Sequence, residues 1–146
     1  MPEAGLSYRW ERSLGGFRRP LPRSPNVALR HPSFRGYADY MMTEPFALAL
    51  ERLIVEASAL PTVVMCSETL WWRCHRRLIA DAATLLNGAE VRHLGHDGRL
   101  APHQLTGGVR ADAASGGLVY DQVGGRLLYP SSRRLYPSSP RSGDLE

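Results

Sequence analysis

TVVMCSETLWWRCHRRLIADAATLLNGAEVRHL, residues 62–94, is the stretch that decides the fold. It opens on TVVMC, a short, β-branched, continuously apolar run. Such a run fits a strand covered on both faces of a parallel sheet. Ser67 offers an N-cap, and the spacing predicts a helix from about residue 68 to Leu86, closed by Asn87-Gly88. AEVRHL (89–94) then reads as the next strand. Just upstream, Thr43 caps a helix with Pro45 in its first turn, where the missing N–H costs nothing. Phe46, Leu50, Leu53, Ile54 and Ala57 recur along it at helical spacing, and it ends near Ala59. Helix, strand, helix, strand is the rhythm of an α/β domain, here expected as a three-layer, parallel-sheet fold with right-handed crossovers.

The flanks add smaller elements. LSYRW (6–10) reads as a short strand, and a Gly- and Pro-punctuated loop follows from about 11 to 32. SFRGYADYMM is expected as a short helix capped by Ser33. After residue 94 come a turn at GHDGRL, one helical turn at PHQLT, and a small C-terminal hairpin of LVYD and RLLYP around Gly124-Gly125. The domain is drawn over residues 1–130. The remainder, 131–146, carries LYPSSPR, a near copy of LYPSSRR just before it, and is expected to be disordered.

A chain of 146 residues that is 43% hydrophobic is long and apolar enough for one folded core. No apolar run reaches the ~20 residues of a bilayer span, and MPEAGLSYRWERS has no secretory core. The expected location is therefore cytoplasmic. All 18 basic side chains are arginine, and the net charge is +4. A GC-rich genome produces that bias. Arginine also grips phosphate and carboxylate in a planar, bidentate way. The charge thus admits an anionic ligand or nucleic acid as partner without requiring one.

Chemistry concentrates at the strand-to-helix junction. Cys66 is expected at the strand end and the helix N-terminus, where unpaired N–H groups favour a thiolate. Glu68 would be a proton-transfer group or simply a first-turn acid. On a helical wheel Cys74 and His75 fall on the packed face with Trp71, Leu78, Ala82 and Leu85; Arg73, Arg76 and Arg77 fall outside it. A phosphate-cradling loop of Cys, five residues, Arg fails by one position, because Trp72 stands where the arginine is needed. Two close ligand pairs, the usual mark of a structural zinc site, are absent too; a metal site would have to borrow His93 or His103. No metal and no cofactor are assigned.

Four motifs in order, LGGFRRP (14–20), SFRGYADYM (33–41), MCSETLWWRCHRRLIAD (65–81) and PHQLT (102–106), resemble the domain of unknown function 488 family over roughly residues 4–130. The resemblance implies an α/β build in a bacterial or archaeal family without an established activity. It singles out Arg18, Arg19, Arg35, Gly36, Tyr37, Tyr40, Cys66, Glu68, Cys74, His75, Arg76 and His103. It also implies that the family's opening strand–helix–strand unit is missing before "AGLSYRW", which would make this chain less stable than an extended one.

Two functions are expected from these residues. One is an enzyme with Cys66, Glu68 and His75 as catalytic groups. Arg18, Arg19, Arg35, Tyr37, Tyr40, Arg76 and His103 would then bind a phosphate-bearing, nucleotide or nucleic-acid substrate. The other is a non-catalytic nucleic-acid-binding module that uses the same arginines and tyrosines. The oligomeric state is not readable.

Overall fold

In a computed structural model of the protein, residues 2–123 are described. Three α-helices and two antiparallel hairpins make a mixed α/β fold: α1 (Pro32–Tyr40), α2 (Glu44–Ala59), α3 (Arg76–Asn87), β1 (Arg92–Leu94), β2 (Leu100–Pro102), β3 (Val109–Asp112) and β4 (Gly117–Tyr120). Single 3-10 turns at Pro2–Ala4, Arg12–Leu14 and Trp71–Arg73 complete it. None of the helices is long and apolar enough to cross a membrane.

The middle helix follows its periodicity. Phe46, Ala49 and Leu50 are buried, and Leu53 and Ile54 pack against the core; Ala57, the last residue of the expected stripe, is exposed. Thr43 is the N-cap, but its hydroxyl donates to the Tyr40 carbonyl at 2.7 Å and makes no cap bond. The first helix is capped two residues earlier than expected: Nδ1 of His31, not Ser33, takes an N–H, that of Ser33 itself, and Pro32 fills the first turn.

The sheet departs most from expectation. Residues 62–66 run without a ladder partner, and Val63 and Met65 are about 70% exposed, so the expected buried parallel strand is not present among the described residues. LSYRW likewise joins no ladder; Arg9 pairs with Glu11 and with Glu56 at 2.8 Å, which lays the segment along α2. The strand expected at 89–94 is shorter and folds straight back: His93 faces Ala101 across a turn with Gly98 at φ 80. PHQLT therefore begins as strand, not as a helical turn. LVY pairs with the preceding β3 through a turn at Gly116. RLLYP and the tail 131–146 lie outside the described residues. In each hairpin a glycine at positive φ closes a turn short enough to let neighbouring segments pair first.

Helix α3 is the axis of the core. Residues 77–83 are buried without a gap, and Leu78, Ile79, Ala82 and Ala83 join Tyr37, Phe46, Leu50, Leu118 and Tyr120 in one cluster. Arg77, expected on the solvated side, is 5% exposed, with its guanidinium over the Phe34 ring at 4.8 Å and a bond to the Trp72 carbonyl. A second seam is polar. Asn26, fully buried, donates to Asp39 at 2.7 Å and accepts from the Tyr120 N–H at 2.9 Å, and the Ala28 N–H reaches the Tyr120 carbonyl. Asp39 also holds the Leu21 N–H and the Ser24 hydroxyl, so the long loop is tied to α1 and β4.

Candidate functional site

The helix expected to start at Ser67 starts at Arg76. Side chains intercept the backbone donors in between: Cys66 Sγ takes the Glu68 N–H at 3.3 Å and Glu68 Oε1 takes the Leu70 N–H at 3.3 Å. Local acceptors of this kind compete with helical bonding. Cys74 then stands extended (φ −120°, ψ 153°) just before His75, the N-cap of the true helix. The sulfur next to the helix N-terminus is thus that of Cys74, where the sequence pattern expected Cys66.

This late start brings the two cysteines together. Their sulfurs lie 2.6 Å apart, with Cys66 partly exposed and Cys74 buried. Nδ1 of His75 is 3.5 Å from Cys74 Sγ, and the three ligand atoms all fall within 4.8 Å of one another. Cys74 Sγ also accepts the backbone N–H and the Nε–H of Arg76, each at 3.4 Å. The other end of Arg76 binds the carbonyls of Glu68 and of Thr69, the latter at 3.2 Å. Arg76 is therefore not a free cation on a solvated face; it clamps the 66–69 loop against Cys74.

Burial pushes the Cys66 thiol up, and the neighbouring Cys74 thiol adds to this against the Glu68 N–H and the Arg76 charge. The expected lowering does not occur, because the helix dipole that was to produce it lies eight residues further on. His75 is pushed down by burial first and then by the charges of Arg76 and Arg18, while the Leu14 carbonyl favours its protonated form. Two guanidiniums thus act on one half-buried imidazole.

The loop LGGFRRP forms the opposite wall. A Cβ on Gly16 would stand 2.8 Å from Nδ1 of His75, and one on Gly36 would stand 2.1 Å from the Arg18 carbonyl oxygen. Both glycines allow the chain to pass: the loop over the imidazole, and α1 under the loop. Tyr37 and Tyr40 hold the loop from below, their hydroxyls donating to the carbonyls of Leu14 (2.7 Å) and Ser13 (2.6 Å). Tyr37 is 1% exposed, so it packs and offers no face to a base. The Arg18 guanidinium lies 4.0 Å over the Tyr40 ring; Arg19 is exposed. Arg35, expected among the substrate-binding residues, binds the carbonyls of Leu29 and Arg30, both at 3.1 Å. Phe17, at the loop tip, is 98% exposed and adopts φ 61.

His103 sits apart from the cysteines. Its Nε2 bonds Asp81 and its Nδ1 bonds Nε2 of His93, each at 2.8 Å, and its side chain is 1% exposed. Asp81 also accepts from the Thr106 N–H (3.0 Å) and the Tyr120 hydroxyl (2.8 Å). His93 stacks on Trp71 with ring centroids 3.8 Å apart. The His103 side chain is buried and bonded at both ring nitrogens, which places it in this polar network. Neither histidine is the metal partner that residue counting required; the adjacent His75 lies closest to the sulfurs.

Sequence reasoning passed over Gly16 and Asp81. Gly16 lay in a motif quoted for its arginines, and Asp81 was legible as the one carboxylate inside LIADAATLL. A family model described as "Domain of unknown function DUF488" matches residues 1–83. The chain belongs to the DUF488 family. The part matched to DUF488 holds Gly16, Arg18, Cys66, Cys74, His75, Arg76 and Asp81, while His93 and His103 lie beyond it. No curated protein and no solved structure matches the chain.

Proposed function

We propose that this DUF488 protein is an enzyme that takes an anionic substrate at the Cys66–Cys74–His75 centre. The observation that carries this reading is the convergence of two sulfurs and an imidazole within 4.8 Å, with the charges of Arg76 and Arg18 both acting on the imidazole. No acidic group enters the forces on His75; Arg18 and Arg76 both act on it. A site with positive charge on one side and sulfur and imidazole on the other favours a phosphate or carboxylate beside a group that can react with or hold it. Cys66 is the sulfur that solvent reaches. Its raised pKa makes it a poor free nucleophile at neutral pH, so the sulfur pair acts as a unit. The test is the rate of Cys66 alkylation by iodoacetamide in the presence of inorganic phosphate. Phosphate slows it several-fold in the native protein and has no effect in Arg18→Gln; indifference to phosphate in the native protein would remove the reading.

One observation favours a second reading, a nucleic-acid-binding module. Phe17 is almost wholly exposed, in a backbone conformation costly for a bulky side chain, and is followed by Arg18 and Arg19. An exposed aromatic beside arginines suits base stacking with backbone neutralisation. On this reading Phe17→Ala weakens binding of a single-stranded oligonucleotide, affinity falls steeply with salt, and Cys66→Ala changes nothing.

A further inference from the structure

Sulfur, sulfur and imidazole nitrogen in one cluster are also the donor set of a zinc-class metal. We infer that Cys66 Sγ, Cys74 Sγ and His75 Nδ1 are three ligands of a divalent cation of the Zn2+ class, with a fourth position left for water or the substrate anion. The inference rests on the Cys66–Cys74–His75 centre being the functional one and specifies what the sulfurs do there.

One ligand pair already has the spacing such an ion needs, and the other can reach it. In a tetrahedral site with Zn–S of ~2.3 Å and Zn–N of ~2.0 Å, a sulfur and a nitrogen ligand stand about 3.5 Å apart. The Cys74 Sγ to His75 Nδ1 distance is 3.5 Å. The two sulfurs, at 2.6 Å, must open to about 3.7 Å to share such an ion. That motion falls to Cys66, the partly exposed member, carried on a segment with no ladder partner.

The surroundings fit as well. Thiolate ligands want N–H donors, and the sulfurs have them: Glu68 N–H on Cys66, and Arg76 N–H and Nε–H on Cys74. Gly16 leaves the space against Nδ1 free of side-chain atoms.

The donor set selects the ion. Two sulfurs and one imidazole suit Zn2+ and exclude Mg2+ or Ca2+, which want oxygen. Two sulfurs and a histidine with one open position is an arrangement that catalytic zinc uses, in contrast to the closed four-ligand structural site. On binding, both thiols lose their protons to solvent, Zn2+ replaces the two S–H bonds with two Zn–S bonds, and nothing is oxidised or reduced.

The experiment loads the purified full chain with Zn2+, then with Co2+, and reads metal content and the visible spectrum. The expected result is one ion per chain, with intense tetrahedral Co2+ bands and sulfur-to-cobalt charge transfer. Cys66→Ser and His75→Asn each weaken Zn2+ retention by more than the ~10–100-fold that a lost supporting partner costs. Circular dichroism of Cys66→Ser, a substitution on the exposed side, separates lost ligation from lost fold. Metal content near zero after loading, or cobalt bands that survive Cys66→Ser in folded protein, overturns the inference. If metal is refused while phosphate still shields Cys66 from alkylation, the metal assignment alone falls. If the ion binds and phosphate shields nothing, the metal assignment stands and the enzyme reading falls.

Discussion

Gly16 lies across the imidazole of His75 so closely that a Cβ would stand 2.8 Å from Nδ1 and 3.2 Å from the adjacent ring carbon. The two stand 59 positions apart in the sequence, and the contact joins the LGGFRRP loop to the cysteine cluster. Gly16→Ala is therefore expected to turn the His75 ring away from Cys74 and leave the helices in place. Zn2+ affinity should fall by roughly 10–100-fold, as when a supporting partner is lost. Far-ultraviolet circular dichroism should be unchanged, and metal retention on dialysis is the measurement.

Gly36 answers a different need. Its Cα passes so close to residues 18 and 19 that a Cβ would overlap the Arg18 carbonyl oxygen at 2.1 Å, and the atom in the way is backbone. Either α1 or the loop must shift. Gly36→Ala should destabilise the fold by about 1–3 kcal/mol or more, the range for overpacking, despite alanine's better helix propensity. Urea unfolding gives the number; a neutral or stabilising alanine would contradict the close approach.

Asp81 is wholly buried and accepts from His103, Thr106 and Tyr120. Asp81→Ala leaves those donors without an acceptor and should cost about 3–5 kcal/mol, comparable to breaking a buried charge pair. Asp81→Asn should cost less, because its amide oxygen still accepts.

Acid sensitivity follows from His93. Burial, and then the charge of His103, lower its pKa from 6.5 to about 4. The unfolded chain then binds a proton that the folded one refuses. Stability from this group is complete above pH 6.5 and is lost as pH falls toward 4. His75 shifts in the same direction, also through burial first. Thermal melts of the native protein should fall across that interval, and His93→Gln should flatten part of the fall. An identical slope in His93→Gln would contradict the assignment.

The parts legible in the sequence are those fixed by local pattern. The second helix declared itself through Phe46, Leu50, Leu53 and Ile54. The start of α3 was not legible, because Ser67 is a good cap in isolation while the sulfur of Cys66 and the carboxylate of Glu68 spend themselves on the N–H groups a helix would need. The strands were misread for a related reason. An apolar run such as TVVMC shows the capacity to pair, whereas the partner is chosen by distant chain, and here β1 and β4 each pair with the segment one short turn away. Tyr37 and Tyr40, expected among the substrate-binding residues, bind the carbonyls of Leu14 and Ser13 through their hydroxyls, contacts that sequence spacing does not show.

The central claim is that an anion comes to the Cys66–Cys74–His75 centre, and the imidazole signals of the histidines report on it most directly. Inorganic phosphate is titrated into the full chain while the nuclear magnetic resonance signals of the His75, His93 and His103 rings are followed. The account predicts a saturable shift at His75 that disappears in Arg18→Gln, with His103, 1% exposed and bonded to Asp81, unmoved. A His75 signal that stays fixed while phosphate shifts other residues would contradict it.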